Sequence, residues 1–217
     1  MPPDDAAGTV KVLERRIVSA MTRNASTLLA FSGGLSSTLI AAVARKRGDL
    51  TCIVVSTADS ADLAAARIAE SYLDHRIDLV RVSPARALEV ARRIAALEPS
   101  LPVSRVLDYV PVVAAADRAR GARLLTGLGG PGAPEGARRW IREIGVIAPL
   151  EGIREDRHSM SRTLASQSAA VLGLPPAFAR PRRRSPREGS GIGPALRGLA
   201  AARGTTLRRL VRRTDSH

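Results

Sequence analysis

Aromatic side chains are nearly missing from this chain. Two tyrosines, two phenylalanines and one tryptophan make up 2% of its 217 residues. A core must therefore be built from Ala, Val, Leu and Ile, which the 45% hydrophobic content can supply. Few rings also mean few platforms for stacking nucleic-acid bases. Lysine is as scarce: Lys11 and Lys46 are the only two among 34 basic residues, so the net charge of +14 is carried by arginine. Cys52 is the single cysteine, which excludes a disulfide framework and a multi-cysteine zinc site. It falls in an apolar run and reads as inert packing. No apolar run reaches the roughly 18 residues a membrane helix needs. Met1-Pro2-Pro3-Asp4-Asp5 does not read as a signal peptide. A cytoplasmic protein without a membrane segment is expected, with one domain or one domain and a small appendage.

What is present centres on Leu28 to Thr38, LLAFSGGLSST. An apolar run stops abruptly at Ser32-Gly33-Gly34 and serines lead into a second apolar run. This reads as a buried strand, a glycine turn and the start of a helix. Glycine admits a close ligand, a helix start offers unpaired N–H groups, and Ser32, Ser36 and Ser37 add hydroxyls. The combination makes an oxyanion cradle. No Gly-Lys-Ser/Thr follows, so it is not the usual mononucleotide loop, and a third glycine is missing for the dinucleotide fingerprint. A tight strand–helix turn without a ligand has the same spacing.

The rest of the chain alternates. Val10 to Met21 has helical spacing, with Thr9 as a cap. Leu50 to Thr57 is a β-branched run suited to a central parallel strand. Asp59 and Asp62 open an alanine-rich helix to Leu73, where capping is the favoured reading for both acids. Arg76 to Val82 is a more exposed strand. Ser83-Pro84 starts a helix over Ala85 to Leu97, and a second helix runs from Arg105 to Arg120. Ala122 to Thr126 and Gly145 to Leu150 read as the last strands, and Ser159 to Leu172 as a serine-capped helix. Regular alternation predicts an α/β fold, a doubly wound parallel five-stranded sheet with helices on both faces and a small helical C-terminal part. Residues 1–150 form the expected nucleotide-binding part and 151–217 an arginine-rich extension. Ligands of such sheets bind beyond the strands' carboxyl ends, so Ser32–Ser37, Ser56–Asp59 and Gly127–Gly136 should converge. His75, His158 and His217 show no metal or general-base spacing.

The string AFSGGLSSTLIAAVA resembles the SGGxDS pyrophosphate loop of the PP-loop ATP pyrophosphatases, in the form found in asparagine synthetase-related synthetase domains. The resemblance implies ATP held through Ala30, Phe31, Ser32, Gly33, Gly34, Leu35, Ser36 and Ser37. It implies Val55, Ser56 and Thr57 against the adenine and Gly127 near the ribose or α-phosphate. LLTGLGGPGAPEGARRW resembles the family's LLSGxGADELFGGY, and ARPRRRSPREGSGI resembles RPKxxxxxGSG. The family's phosphate-contacting lysines then correspond to Arg162 and to Arg182 or Arg183, which clamp phosphate but do not titrate as lysine does. The magnesium-binding aspartate corresponds to Ser36 and the Asp-Glu pair to Pro131-Gly132, leaving Glu135 as a displaced metal ligand. Mg²⁺ is therefore doubtful at sequence level.

Three functions stay open. One is an ATP-dependent ligase that adenylates a carboxylate, with aspartate and ammonia as candidate substrates and no glutaminase domain. The second is a nucleotide binder that has lost turnover, and the third is a tRNA-modifying enzyme. The basic C-terminus suits RNA or an acidic partner, and a homo-oligomer is open.

Overall fold

The computed structural model describes residues 5–21, 26–58, 60–130, 139–153, 160–179 and 184–212. Asp59, Pro131, Gly132, Glu135, His158, Ser159, Arg182, Arg183 and His217 lie outside the described residues.

Five parallel strands form one sheet: β1 (Thr27–Ala30), β2 (Leu50–Ser56), β3 (Arg76–Arg81), β4 (Leu124–Thr126) and β5 (Val146–Ile147). Their order is β3-β2-β1-β4-β5. β2 is covered on both faces and reads as a nearly unbroken apolar run. β3 is an edge strand with partly exposed residues, which is why its sequence alternates. Register is tight, with Leu29 beside Cys52 on one side and Leu125 on the other. The chain leaves β3 at one edge and returns at β4, on the far side of β1. Consecutive connections therefore diverge between β1 and β4, and a crevice opens there.

The predicted doubly wound sheet is what the fold shows. Period-two alternation sorts side chains into two apolar layers. Leu29, Cys52, Val54 and Leu125 face α1 (Ala6–Ala20), α2 (Leu35–Ala44), α3 (Ala61–Leu73) and α7 (Arg162–Val171). Ile53, Val55 and Leu124 face α4 (Pro84–Leu97) and α5 (Val103–Ala119). The second layer also takes Ile192 and Leu196 of α10 (Ile192–Ala202) and Leu210 and Val211 of α11 (Leu207–Arg212). Trp140 of α6 (Arg139–Glu143) packs edge-on against Tyr109, with 5.5 Å between ring centroids. Burial pushes the Cys52 thiol up, as an inert packing residue requires. Among the described residues, no helix is long and apolar enough to cross a membrane.

Two local expectations need correction. The cap of α1 is Asp5, whose carboxylate accepts from Gly8 N–H at 2.6 Å. Thr9 sits inside the helix with its hydroxyl donating to Asp5 C=O, because a carboxylate three residues before the N3 position outcompetes it. α7 begins at Arg162 with Ser161 as cap, accepting from Leu164 N–H at 3.2 Å. α11, in the basic C-terminus, is anchored on the second layer. Leu210 and Val211 are buried, and Arg212 donates to the carbonyls of Leu101 and Ala95. Arg208 and Arg209 remain exposed.

Candidate phosphate cradle at the carboxyl end of the sheet

β1 ends at Ala30, and Phe31 still donates its N–H to Ile53 C=O at 2.9 Å. The Phe31 ring turns into the core against His75, 5.1 Å between centroids, so only its backbone borders the crevice. His75 is buried, and neither ring nitrogen finds a hydrogen-bond partner; burial lowers its pKa. Among the described residues no group of three metal-binding side chains occurs, at His75 or elsewhere.

The turn follows at once. Gly33 has φ +67°, the left-handed region that favours glycine. A Cβ there would lie 2.5 Å from Ala65 Cβ and 2.9 Å from Ala66 N, so α3 packs onto the loop at van der Waals limit. Gly34 is the N-cap of α2 and has no side-chain cap. The first helical bond is Thr38 N–H to Gly34 C=O at 2.9 Å, which leaves the N–H groups of Leu35, Ser36 and Ser37 without intrahelical partners. Ser32 and Ser37 hydroxyls lie 3.3 Å apart beside them, and Ser37 donates to Gly34 C=O at 3.0 Å. Ser32, Gly34 and Ser36 are partly exposed, whereas Phe31, Gly33, Leu35 and Ser37 are buried. The exposed alternates form the floor of the cradle.

The loop after β4 meets this floor. A Cβ on Gly127 would come 2.9 Å from Ser36 Cβ and 3.2 Å from Ser37 N, and one on Gly130 would overlap the Ser36 hydroxyl. Gly129 lies as close to Glu151, and Met160 N–H donates to Gly129 C=O at 3.3 Å. That bond brings the start of α7, with a half-buried Arg162, to the same loop. Of the expected convergence of Ser32–Ser37, Ser56–Asp59 and Gly127–Gly136, the contact of the first stretch with Gly127 and Gly130 is observed, and residues 59 and 131–136 lie outside the described residues.

At the end of β2 the backbone divides its roles. Ile53 C=O bonds toward β1, and Ser56 C=O accepts from Val82 N–H toward β3 at 2.9 Å. By strand alternation Val55 directs its N–H and C=O to the β1 side. There β1 has already peeled away, and neither group has a partner among the described residues. Ser56 is fully buried and its hydroxyl donates to Ala58 C=O. Thr57 N–H is taken by Ser190 C=O at 3.1 Å. Of the three residues the resemblance places against a base, Val55 alone keeps both backbone groups free.

Asp62 departs from the capping role. Ser60 caps α3, accepting from Leu63 N–H at 3.2 Å, while the Asp62 carboxyl turns against Gly189. Burial raises its pKa to about 7, and the Arg184 charge only partly offsets this. The folded pKa thus lies above the ordinary 3.8. The unfolded chain gives up this proton first as pH rises, so the contribution to stability is full below about pH 4 and gone above about pH 7. Asp62→Asn should stabilise the protein at pH 8 by about 2 to 4 kcal/mol and change nothing below pH 4. Urea unfolding at both pH values checks this; equal destabilisation at both contradicts it.

The sequence reading also passed over Asp108 and Arg187. A lone carboxylate inside the apolar stretch Val106-Leu107-Asp108-Tyr109-Val110 was the available signal. Two open surface cavities are lined by no residue of Ser32–Ser37 or Gly127–Gly130. One, about 540 Å³, includes Arg16, Arg123 and Arg142; the other, about 660 Å³, includes Pro99, Pro102 and Arg208.

Glu135, the displaced metal ligand of the sequence analysis, lies outside the described residues. The described part of the cradle offers hydroxyls and amides, with Ser36 packed on Gly130. Magnesium at a nucleotide site is usually held by one or two carboxylates together with substrate phosphates and water.

The model of the asparagine synthase family matches residues 10–144. The fold is similar to the NMN synthetase of Francisella tularensis, with TM-score 0.55 and 14% identity over 96% of this chain and 85% of that one. It is also similar to an NH3-dependent NAD synthetase of Campylobacter jejuni subsp. jejuni NCTC 11168, solved with a nitrate ion. That likeness has TM-score 0.50 and 13% identity over 95% of this chain and 88% of that one. No curated protein matches the chain in sequence.

Proposed function

The chain belongs to the asparagine synthase family of PP-loop proteins, and on that premise we propose that it binds ATP and adenylates a carboxylate. One observation carries the reading. The N-terminus of α2 has no side-chain cap, its N–H groups open between the Ser32 and Ser37 hydroxyls, and glycines of two loops enclose it. Such an array stabilises phosphate oxygens through several N–H donors and the helix dipole at once. In this reading the β- and γ-phosphates of ATP rest on Gly34 to Ser37. The base then meets the free N–H and C=O of Val55, and Gly127 lies beside the sugar or α-phosphate.

The chemistry follows from that pose. A carboxylate oxygen attacks the α-phosphorus, the bond to the β-phosphate oxygen breaks, and pyrophosphate leaves. An amine then attacks the acyl carbon; the C–N bond forms, AMP leaves and the amine's extra proton passes to solvent. The chain's part is to hold the leaving pyrophosphate, with Arg162 and the arginines at 182 and 183 as proposed clamps. Aspartate as carboxylate and ammonia as amine are the first candidates.

Carboxylate-dependent exchange of labelled pyrophosphate into ATP tests the proposal, with aspartate first and with and without magnesium. Exchange that requires a carboxylate supports it. ATP binding without exchange for any carboxylate supports instead the second reading, a nucleotide binder without turnover. That reading is favoured by one feature, the serine at position 36 where the family has its metal-binding aspartate.

A further inference from the structure

The stretch from Arg184 to Gly191 reaches the sheet from the far end of the chain. Within it α9 (Pro186–Gly189) lies on α5, and its anchor is buried. Asp108 is 1% exposed. It accepts from the Arg187 backbone N–H at 3.4 Å and from its guanidinium at 2.9 Å, with Arg105 at 3.8 Å. Arg187 also donates to Ser104 C=O. Burial pushes the Asp108 carboxyl up and the Arg187 charge pulls it back.

From this anchor the chain crosses the end of β2. Ser190 hydroxyl donates to Pro186 C=O at 2.7 Å, and Ser190 C=O accepts the Thr57 N–H. Gly189 rests on the Asp62 carboxyl, where an added Cβ would lie 2.6 Å from Cγ. Gly191, at φ +80°, rests on the Thr57 hydroxyl, which an added Cβ would overlap. Side chains at either glycine would lift the segment. The outer half of the strand end is thus covered, while the Val55 backbone pair stays without a partner among the described residues.

We propose that residues 184–191 are a strap closing the nucleobase end of the cradle, and that Asp108 and Arg187 are positioning residues that set its place over β2. The proposal rests on the nucleotide reading above. Two physical points support it. A buried ion pair returns little net stability over an apolar pair of the same volume, so its use is a fixed geometry. By consuming the Thr57 N–H, the strap removes a competing donor and leaves Val55 as the backbone pair for a base. It also screens that pair from water, which strengthens its hydrogen bonds.

Asp108→Asn removes the charge and keeps the shape. Amide hydrogen exchange at Thr57 should speed up about tenfold or more, while Phe31 N–H, bonded on the β1 side, keeps its protection. The Kd for ATP should rise about tenfold. Arg187→Lys should keep more of both properties than Arg187→Gln, and this pair serves if Asp108→Asn does not fold. Faster Thr57 exchange with unchanged ATP affinity overturns the strap's role, and so does unchanged Thr57 exchange. If the natural protein binds no ATP at all, the nucleotide reading itself fails and the strap's role with it, whatever the exchange shows.

Discussion

Gly34→Val should abolish ATP binding and leave the protein folded. The backbone at Gly34 is ordinary for any residue, φ −77° and ψ 163°. Its added Cβ would meet nothing but the Ser32 hydroxyl, at 3.2 Å. No backbone stands in the way, so the fold tolerates the change, at about 1 kcal/mol for a poorer helix cap. In a chain of this size that moves Tm by roughly 2–4 °C. The two methyl groups, however, project beside Ser32, where phosphate oxygens would sit against the first N–H groups of α2. Loss of two or three such charge-assisted bonds raises Kd by about 100-fold or more. Calorimetric titration with ATP, paired with thermal unfolding, reads both parts. Retained affinity would remove the cradle from the account.

Gly33→Ala should do the reverse: it acts on the fold first. Gly33 sits at φ +67°, which costs alanine about 1 kcal/mol. Its Cβ would also press on Ala65 C at 2.7 Å and Ala66 N at 2.9 Å. These are backbone atoms inside a packed helix and cannot swing aside, unlike the tip of a side chain. Overpacking adds about 1–3 kcal/mol, so the total is about 2 to 4 kcal/mol and Tm falls by roughly 5–15 °C. A Tm within 2 °C of the natural protein would show that α3 does not press on the loop as described. The two adjacent glycines thus have separable tasks, one conformational and one spatial.

Sequence alone carried the sheet because its signals are local. β2 is an apolar β-branched run since both its faces are covered, and Ser32-Gly33-Gly34 breaks a strand into a helix. The meeting of the Gly127–Gly130 loop with Ser36 followed from topology, before any contact was visible. What did not follow were contacts made across the chain. Asp62 looked like a cap because acids near a helix start commonly are; only the packing of Gly189, 127 residues later in number, shows its carboxyl under the C-terminal segment. Thr57 looked free to meet a base because nothing near it in sequence reveals Ser190. Asp108 sits in an α5 whose other inward residues are apolar, and its partner Arg187 lies among several arginines that look alike in sequence. Asp5 rather than Thr9 caps α1 because the helix starts one turn earlier than the apolar spacing from Val10 indicates, which puts the Asp5 carboxylate on Gly8 N–H.

The most direct test of the central claim is a titration of the isotopically labelled full chain with ATP, following backbone amide shifts. The account predicts saturable shifts at Gly34, Leu35, Ser36 and Ser37 and at Val55. It predicts none at Pro99–Val103 or around Arg123, where the open cavities lie. Shifts confined to those cavities, or no saturable shifts at Gly34 to Ser37, would contradict it.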